Sequence, residues 1–239
     1  MPFLDLADRV REVRERIDTA ARRGGRPAGD RNIQPVRIVA VTKTHGLDAL
    51  QAAWDAGLHD VGENRVQEAL DKMDGLQLPF RWHLIGHLQR NKVKHLNRFH
   101  LLHSLDRAAL ADTVNAQGAA SSRVFDALVQ VNIVGEQTKG GYDLATLARE
   151  ADRLRSLSHI RIGGVMTMAP FDADETTLRR VFAGARQARD VLRAAGHAHA
   201  TELSMGMSND YEIAVEEGST CVRLGTVLFG ARESAAGAV

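Results

Sequence analysis

Read for its apolar positions alone, the chain opens with a helix and then settles into a repeat. Leu6, Val10, Val13 and Ile17 recur at three- and four-residue spacing, which predicts an amphipathic helix with one buried stripe. The segment 22–35 is rich in Gly, Pro and Arg and predicts an exposed loop. After it, short apolar runs at 37–42, 59–62, 81–85, 100–104, 127–133, 162–168, 201–204 and 221–224 predict strands. Between them lie helical patterns at 47–56, 65–73, 88–96, 107–117, 144–157, 176–195 and 210–217.

Strands alternating with helices argue for parallel βαβ units, because a parallel pair needs a long crossover. Eight strand candidates make a closed (β/α)8 barrel of the TIM type, with an extra N-terminal helix, the leading architecture. A doubly wound open sheet is the rival. No linker or low-complexity stretch divides the chain, so residues 1–239 are expected to form a single α/β domain. Within it, 1–35 is the N-terminal helix and loop, and 231–239 a frayed tail.

Composition narrows the setting. With 44% apolar residues the chain can bury a sizeable core, and a net charge of +1 gives no sign of a polyanion or anionic-membrane partner. Cys221 is the single cysteine, which excludes a disulfide framework or cysteine metal cluster and suits a reducing cytoplasm. Acids and arginines run through Met1–Arg16 in place of an apolar leader core, and no stretch reaches transmembrane length. The basic patch Arg90-Asn91-Lys92-Val93-Lys94-His95 lacks interleaved aromatics and reads as a solvated helix face. The expectation is a cytoplasmic protein with no nucleic-acid or membrane partner. No exposed apolar stripe demands a second subunit, so a monomer is expected.

Lysine usage changes the picture. Of 31 basic Lys and Arg residues only five are lysines: Lys43, Lys72, Lys92, Lys94 and Lys139. Lys43 ends the apolar run 38–42. Arginine stays protonated and forms no Schiff base, whereas a desolvated lysine can lose its proton and attack a carbonyl. In such a barrel the site lies at the C-terminal strand ends, and phosphate is commonly held by the loops after strands seven and eight. Strand seven is followed by Met205-Gly206-Met207-Ser208-Asn209-Asp210, where Ser208 or Asn209 can cap the next helix and offer donors to an anion. Strand eight is followed by Gly225 and Thr226. Each loop alone is an ordinary turn; together they point to phosphate.

Arg223 interrupts strand eight and is costly there unless paired. It points outward under a helix or inward beside those loops. Barrel closure sets Lys43 next to the same loops, an arrangement that suits a phosphorylated carbonyl compound such as pyridoxal 5′-phosphate. A snorkelling strand-end lysine is the plain alternative. Asn64 and Asn132 either line the pocket or close turns. His83 reads as a satisfied core histidine, and neither it nor His87 has a partner at metal-binding spacing. His197 and His199 read as solvated.

These stretches resemble, almost end to end, the pyridoxal-phosphate homeostasis protein family, whose fold is that of the N-terminal barrel domain of alanine racemase. The resemblance is carried by residues 39–43 (Val-Ala-Val-Thr-Lys), 62–68 (Gly-Glu-Asn-Arg-Val-Gln-Glu), 83–92, 104–107, 131–133, 164–167, 203–208 and 222–225, in family order. It implies that Lys43 forms the Schiff base, Arg223 faces the pyridine nitrogen, and Ser208, Gly225 and Thr226 hold the phosphate. Asn64 lines the pocket by the same match, and Met205 and Met207 lie on the loop that closes it. Gly46, Thr42 and Val134 depart from residues common in the family and affect loop stiffness more than ligand chemistry.

The implied function is a cofactor reservoir and carrier, with transient contact with apo-enzymes and no catalytic residue. A guanidinium cannot accept the ring nitrogen's proton, so the ring is a weak electron sink. Racemases on this barrel add a second-domain tyrosine, whereas here the chain ends shortly after strand eight, and Tyr142 and Tyr211 sit in no catalytic motif. A racemase of the alanine racemase type is the rival reading. A Schiff-base aldolase would need an acid or base near Lys43 that the sequence does not supply.

Overall fold

The structure is a computed structural model that describes residues 3–26, 35–136 and 140–230. Eight parallel strands pair in sequence order and close into a barrel: β1 (Arg37–Val41), β2 (Asp60–Glu63), β3 (Arg81–Leu84), β4 (Leu101–Leu105), β5 (Phe125–Gln130), β6 (Ile160–Met166), β7 (Glu202–Ser204) and β8 (Cys221–Leu224). β8 returns to β1 in parallel register, with Val39 opposite Arg223 and Ala40 opposite Leu224.

The helices are α1 (Leu6–Arg23), α2 (Leu47–Asp55), α3 (Val66–Gly75), α4 (Ala108–Ser121), α5 (Leu144–Ser156), α6 (Glu175–Ala194), α7 (Tyr211–Glu216) and α8 (Thr226–Phe229). Leu6, Val10, Val13 and Ile17 are all buried, so α1 uses the stripe that its spacing defines. It packs along α7 and is tied there by the ion pair of Arg23 Nε with Glu216 at 2.7 Å. Asp143 and Asp174 cap α5 and α6 by accepting the backbone N–H three residues on.

Three elements differ from expectation. The helix expected at 88–96 forms as a 3₁₀ segment, Arg90–Arg98, whose two buried residues, Val93 and Leu96, sit three apart, the repeat of a 3₁₀ turn. β5 starts at Phe125 and ends at Gln130 instead of running to 133: Val131 still donates to the Met166 carbonyl at 2.9 Å but bridges to Tyr142, and Asn132 turns the chain away. Thr226, expected on a loop, opens the short helix α8. Most of the loop 22–35, together with the tail 231–239, falls outside the described residues.

Apolar residues fill the layer between strands and helices. Leu50, Leu110, Leu147 and Phe182 are fully buried there, each contributing about 1.5–3 kcal/mol on burial. The lumen is more polar: His83, His103, Ser204 and Arg223, all on strands, are buried. Among the described residues no helix is long and apolar enough to cross a membrane.

One irregularity shapes the barrel wall. Between the pairs Ala127–Ile162 and Leu128–Gly164, β6 advances two residues while β5 advances one, so Gly163 is the extra residue of a bulge. Gly164 then adopts φ +152°, and a Cβ there would lie 2.0 Å from the Glu202 carbonyl oxygen on β7. Only glycine permits that approach. At Gly163 the nearest atom to a Cβ is 3.6 Å away, an ordinary contact. Gly164→Ala is therefore expected to cost at least ~2 kcal/mol in urea unfolding, and Gly163→Ala less than ~1 kcal/mol. Equal costs for the two would contradict this account of the bulge.

Candidate functional site

A cavity of about 570 Å³ opens at the C-terminal ends of the strands. Lys43, Asn64, Ser208, Arg223, Gly225 and Thr226 all line it. They come from the ends of β1, β2, β7 and β8, and the β1–β8 register explains why residues 182 positions apart meet: Lys43 and Gly225 leave the ends of neighbouring strands. A Cβ on Gly86 would fall 2.3 Å from the Asn64 carbonyl oxygen, so glycine there lets the β3 loop close on the β2 loop and keep Asn64 at the wall.

Met205 does not reach the closing loop that the resemblance implies for it. It continues the β7 ladder, its N–H donating to the Cys221 carbonyl at 3.1 Å, and its side chain is fully buried in the apolar core. Gly206, at φ +96°, then turns the chain, and Met207 is the methionine that reaches the cavity. Asn132 serves a turn, accepting the N–H groups of Gly135 and Glu136 and donating to the Glu136 carbonyl. His199 is exposed as expected. His197 is not: it is buried, and its Nε2 lies 2.8 Å from the Ala151 carbonyl oxygen, which docks the α6–β7 loop on α5.

At one end of the cavity, backbone donors converge. The N–H groups of Gly225 and Val227 both point to Ser208 Oγ, at 3.3 and 3.2 Å. Ser208 Oγ accepts both amides and keeps its own proton to donate, so three donors gather where an anion can draw on them.

Arg223 forms the floor. Its guanidinium is buried, donating to Ser204 Oγ at 2.6 Å and to the Thr167 carbonyl at 2.9 Å. Among the described residues no carboxylate ion-pairs with it. Burial holds its pKa below the usual arginine value. A buried guanidinium with donors facing a cavity and no carboxylate partner is completed by a ligand that accepts hydrogen bonds.

Behind Arg223 runs a chain of hydrogen bonds that the sequence did not announce. Ser204 Oγ lies 2.9 Å from His103 Nδ1, His103 Nε2 lies 2.9 Å from His83 Nδ1, and His83 Nε2 lies 2.9 Å from Asp60 Oδ1. Arg223 must donate and the Asp60 carboxylate must accept; with both buried rings neutral, each hydroxyl or ring between them donates in the same direction. Each histidine then carries its proton on Nε2. Burial, reinforced by His83 and Arg223, pushes the His103 pKa well down. Burial also lowers that of His83 against the pull of Asp60. Burial pushes the Asp60 pKa up, but hydrogen bonds from Arg81 and His83 outweigh it and hold the carboxyl below its usual value. His83 alone stands out in the sequence; His103 and Ser204 lie on the short strands β4 and β7, where spacing carries no signal. Across the cavity, His87 Nδ1 meets the buried Asp106 carboxylate at 3.1 Å.

Comparisons with known proteins identify relatives of this chain. The family described as the alanine racemase N-terminal domain matches residues 29–233. A pyridoxal phosphate homeostasis protein of Aquifex aeolicus is 38% identical over 232 residues, covering 96% of this chain and 100% of that one. One from Escherichia coli is 37% identical over 238 residues, covering 96% and 97%. The solved structure of PipY from Synechococcus elongatus with PLP bound superposes with a TM-score of 0.81 at 34% identity, covering 94% of this chain and all of that one.

The histidine chain has a measurable consequence. A histidine whose folded pKa lies below its unfolded value near 6.5 leaves the unfolded state binding more protons as pH falls, so stability is lost below that pH. Thermal stability is expected to fall from pH 7 to pH 5, and the double variant His83→Gln/His103→Gln is expected to flatten that slope. An unchanged slope in the double variant would show that the two rings are not the groups responsible.

Proposed function

We propose that this chain, which belongs to the pyridoxal phosphate homeostasis protein family, holds pyridoxal 5′-phosphate as a reversible Schiff base on Lys43 and serves as a reservoir and carrier of that cofactor. The observation that carries the reading is the buried Arg223, its donors at the floor of a cavity that also holds an amine and an anion cradle. When bound, the cofactor supplies an electrophilic aldehyde, an anionic phosphate and a ring nitrogen that accepts a hydrogen bond. Lys43, once deprotonated, attacks that aldehyde and releases water. Ser208, Gly225 and Thr226 hold the phosphate, Arg223 donates to the ring nitrogen, and Asn64 shapes the wall.

The same residues argue for holding over turnover. Arg223 cannot take the place of a carboxylate that would keep the ring nitrogen protonated, and Ser204 behind it is committed to the histidine chain. A ring left unprotonated is a weak electron sink. PipY has been solved both with PLP and without it, and the same reversible occupancy is proposed here. In this reading the protein works as a cytoplasmic monomer and passes the cofactor on through transient contacts with apo-enzymes.

Purified protein given pyridoxal 5′-phosphate is expected to turn yellow, and borohydride reduction to fix the label on Lys43. Lys43→Ala is expected to lose both signals; if it keeps the visible band, a different lysine is the anchor. Ser208→Ala is expected to weaken cofactor affinity about tenfold, the loss of one hydrogen bond to a charged group, with an unchanged melting temperature. Interconversion of alanine enantiomers well above background would contradict the carrier reading.

A further inference from the structure

Lys72 is another of the five lysines in this arginine-rich chain, and nothing proposed so far uses it. It lies on α3 with only 7% of its surface exposed. Its ammonium donates to the Thr42 carbonyl at 2.7 Å, to Glu63 Oε1 at 2.7 Å and to Glu68 Oε1 at 2.8 Å. All three ammonium donors are thus used. Three acceptors converging on one point match a tetrahedral ammonium and not a planar guanidinium fork, which accounts for lysine at a position where this chain would otherwise write arginine.

The acceptors are those that hold the residues on either side of Lys43. Glu63, fully buried, also takes the Thr42 hydroxyl on Oε1 at 2.6 Å, while its Oε2 has no partner among the described residues. Glu68 Oε1 also takes the Thr44 backbone N–H at 2.7 Å. Thr44 sits at φ +67°, a left-handed conformation that is rare for a β-branched residue. One buried ammonium therefore ties Thr42 directly and through Glu63, and ties Thr44 through Glu68, with Lys43 between them. We propose that Lys72 is the positioning residue of Lys43: it clamps Thr42 and a left-handed Thr44 so that the Lys43 amine is presented to the cavity. The proposal rests on Lys43 as the cofactor anchor, but the clamp itself can be read without cofactor.

The test uses the full chain and pyridoxal 5′-phosphate as probe. Dissociation constants, borohydride-fixed label on Lys43, Thr44 amide exchange and thermal melts are measured for wild type and variants. Lys72→Met and Lys72→Arg are each expected to weaken cofactor affinity about tenfold or more and to speed Thr44 exchange. Glycine adopts the left-handed region freely, so adding Thr44→Gly to Lys72→Met is expected to restore affinity by about threefold, which a general loss of stability would not produce. A folded Lys72→Met protein with wild-type affinity and wild-type Thr44 exchange overturns the proposal. Should Lys72→Met fail to fold, Glu68→Gln is expected to move both readouts in the same direction, and its having no effect on either overturns the proposal equally. If even wild type takes no label on Lys43, the cofactor reading fails. Faster Thr44 exchange in Lys72→Met then still upholds the clamp, and unchanged exchange overturns it.

Discussion

Pairing of β8 with β1 is the contact on which the site depends. A parallel sheet that stayed open would leave Lys43 on one strand and Arg223, Gly225 and Thr226 on another, with no shared surface. Closure puts Arg223 directly opposite Val39 and lets the two strands end together, so the amine, the guanidinium and the anion cradle open into one cavity. The bulge at Gly163 and the tight approach of Gly164 to β7 serve the same end, because a barrel closes only if its wall bends where it must.

The lumen of this barrel is not filled only with branched apolar residues. It carries a one-directional chain from Arg223 through Ser204, His103 and His83 to Asp60. Such a chain is expensive unless every member is satisfied, and here each ring nitrogen has its partner. The chain fixes where the guanidinium points and keeps positive charge off the histidines beside it. The cavity floor is consequently a rigid hydrogen-bond donor and a poor proton acceptor, a character suited to gripping a cofactor and ill suited to driving carbanion chemistry.

Much of this was legible in the sequence, and the parts that were not have physical causes. The alternation of apolar runs gave eight strands in order, since a strand buried on both faces writes a continuous apolar run. Lys43 stood out because lysine is rare here, and Ser208, Gly225 and Thr226 because barrels hold phosphate on those loops. Of the two methionines assigned to the closing loop, Met207 reaches the cavity and Met205 does not: β7 runs on through Met205, and the positive φ of Gly206 then turns the chain. The relay through His103 joins residues 20 and 101 positions apart, and the clamp built on Lys72 joins α3 to the ends of β1 and β2. Local patterns hold no record of contacts that form only when separate strands and helices come together.

The most direct test of the account is the ¹⁵N resonance of the pyridine nitrogen in isotope-labelled pyridoxal 5′-phosphate bound to the protein at neutral pH. With the ring on Arg223, the nitrogen is expected to be unprotonated and hydrogen-bonded, and to shift when Arg223 is replaced by Gln. A protonated nitrogen, or a resonance indifferent to Arg223→Gln, would contradict both the placement of the cofactor and the argument that this site holds without turnover.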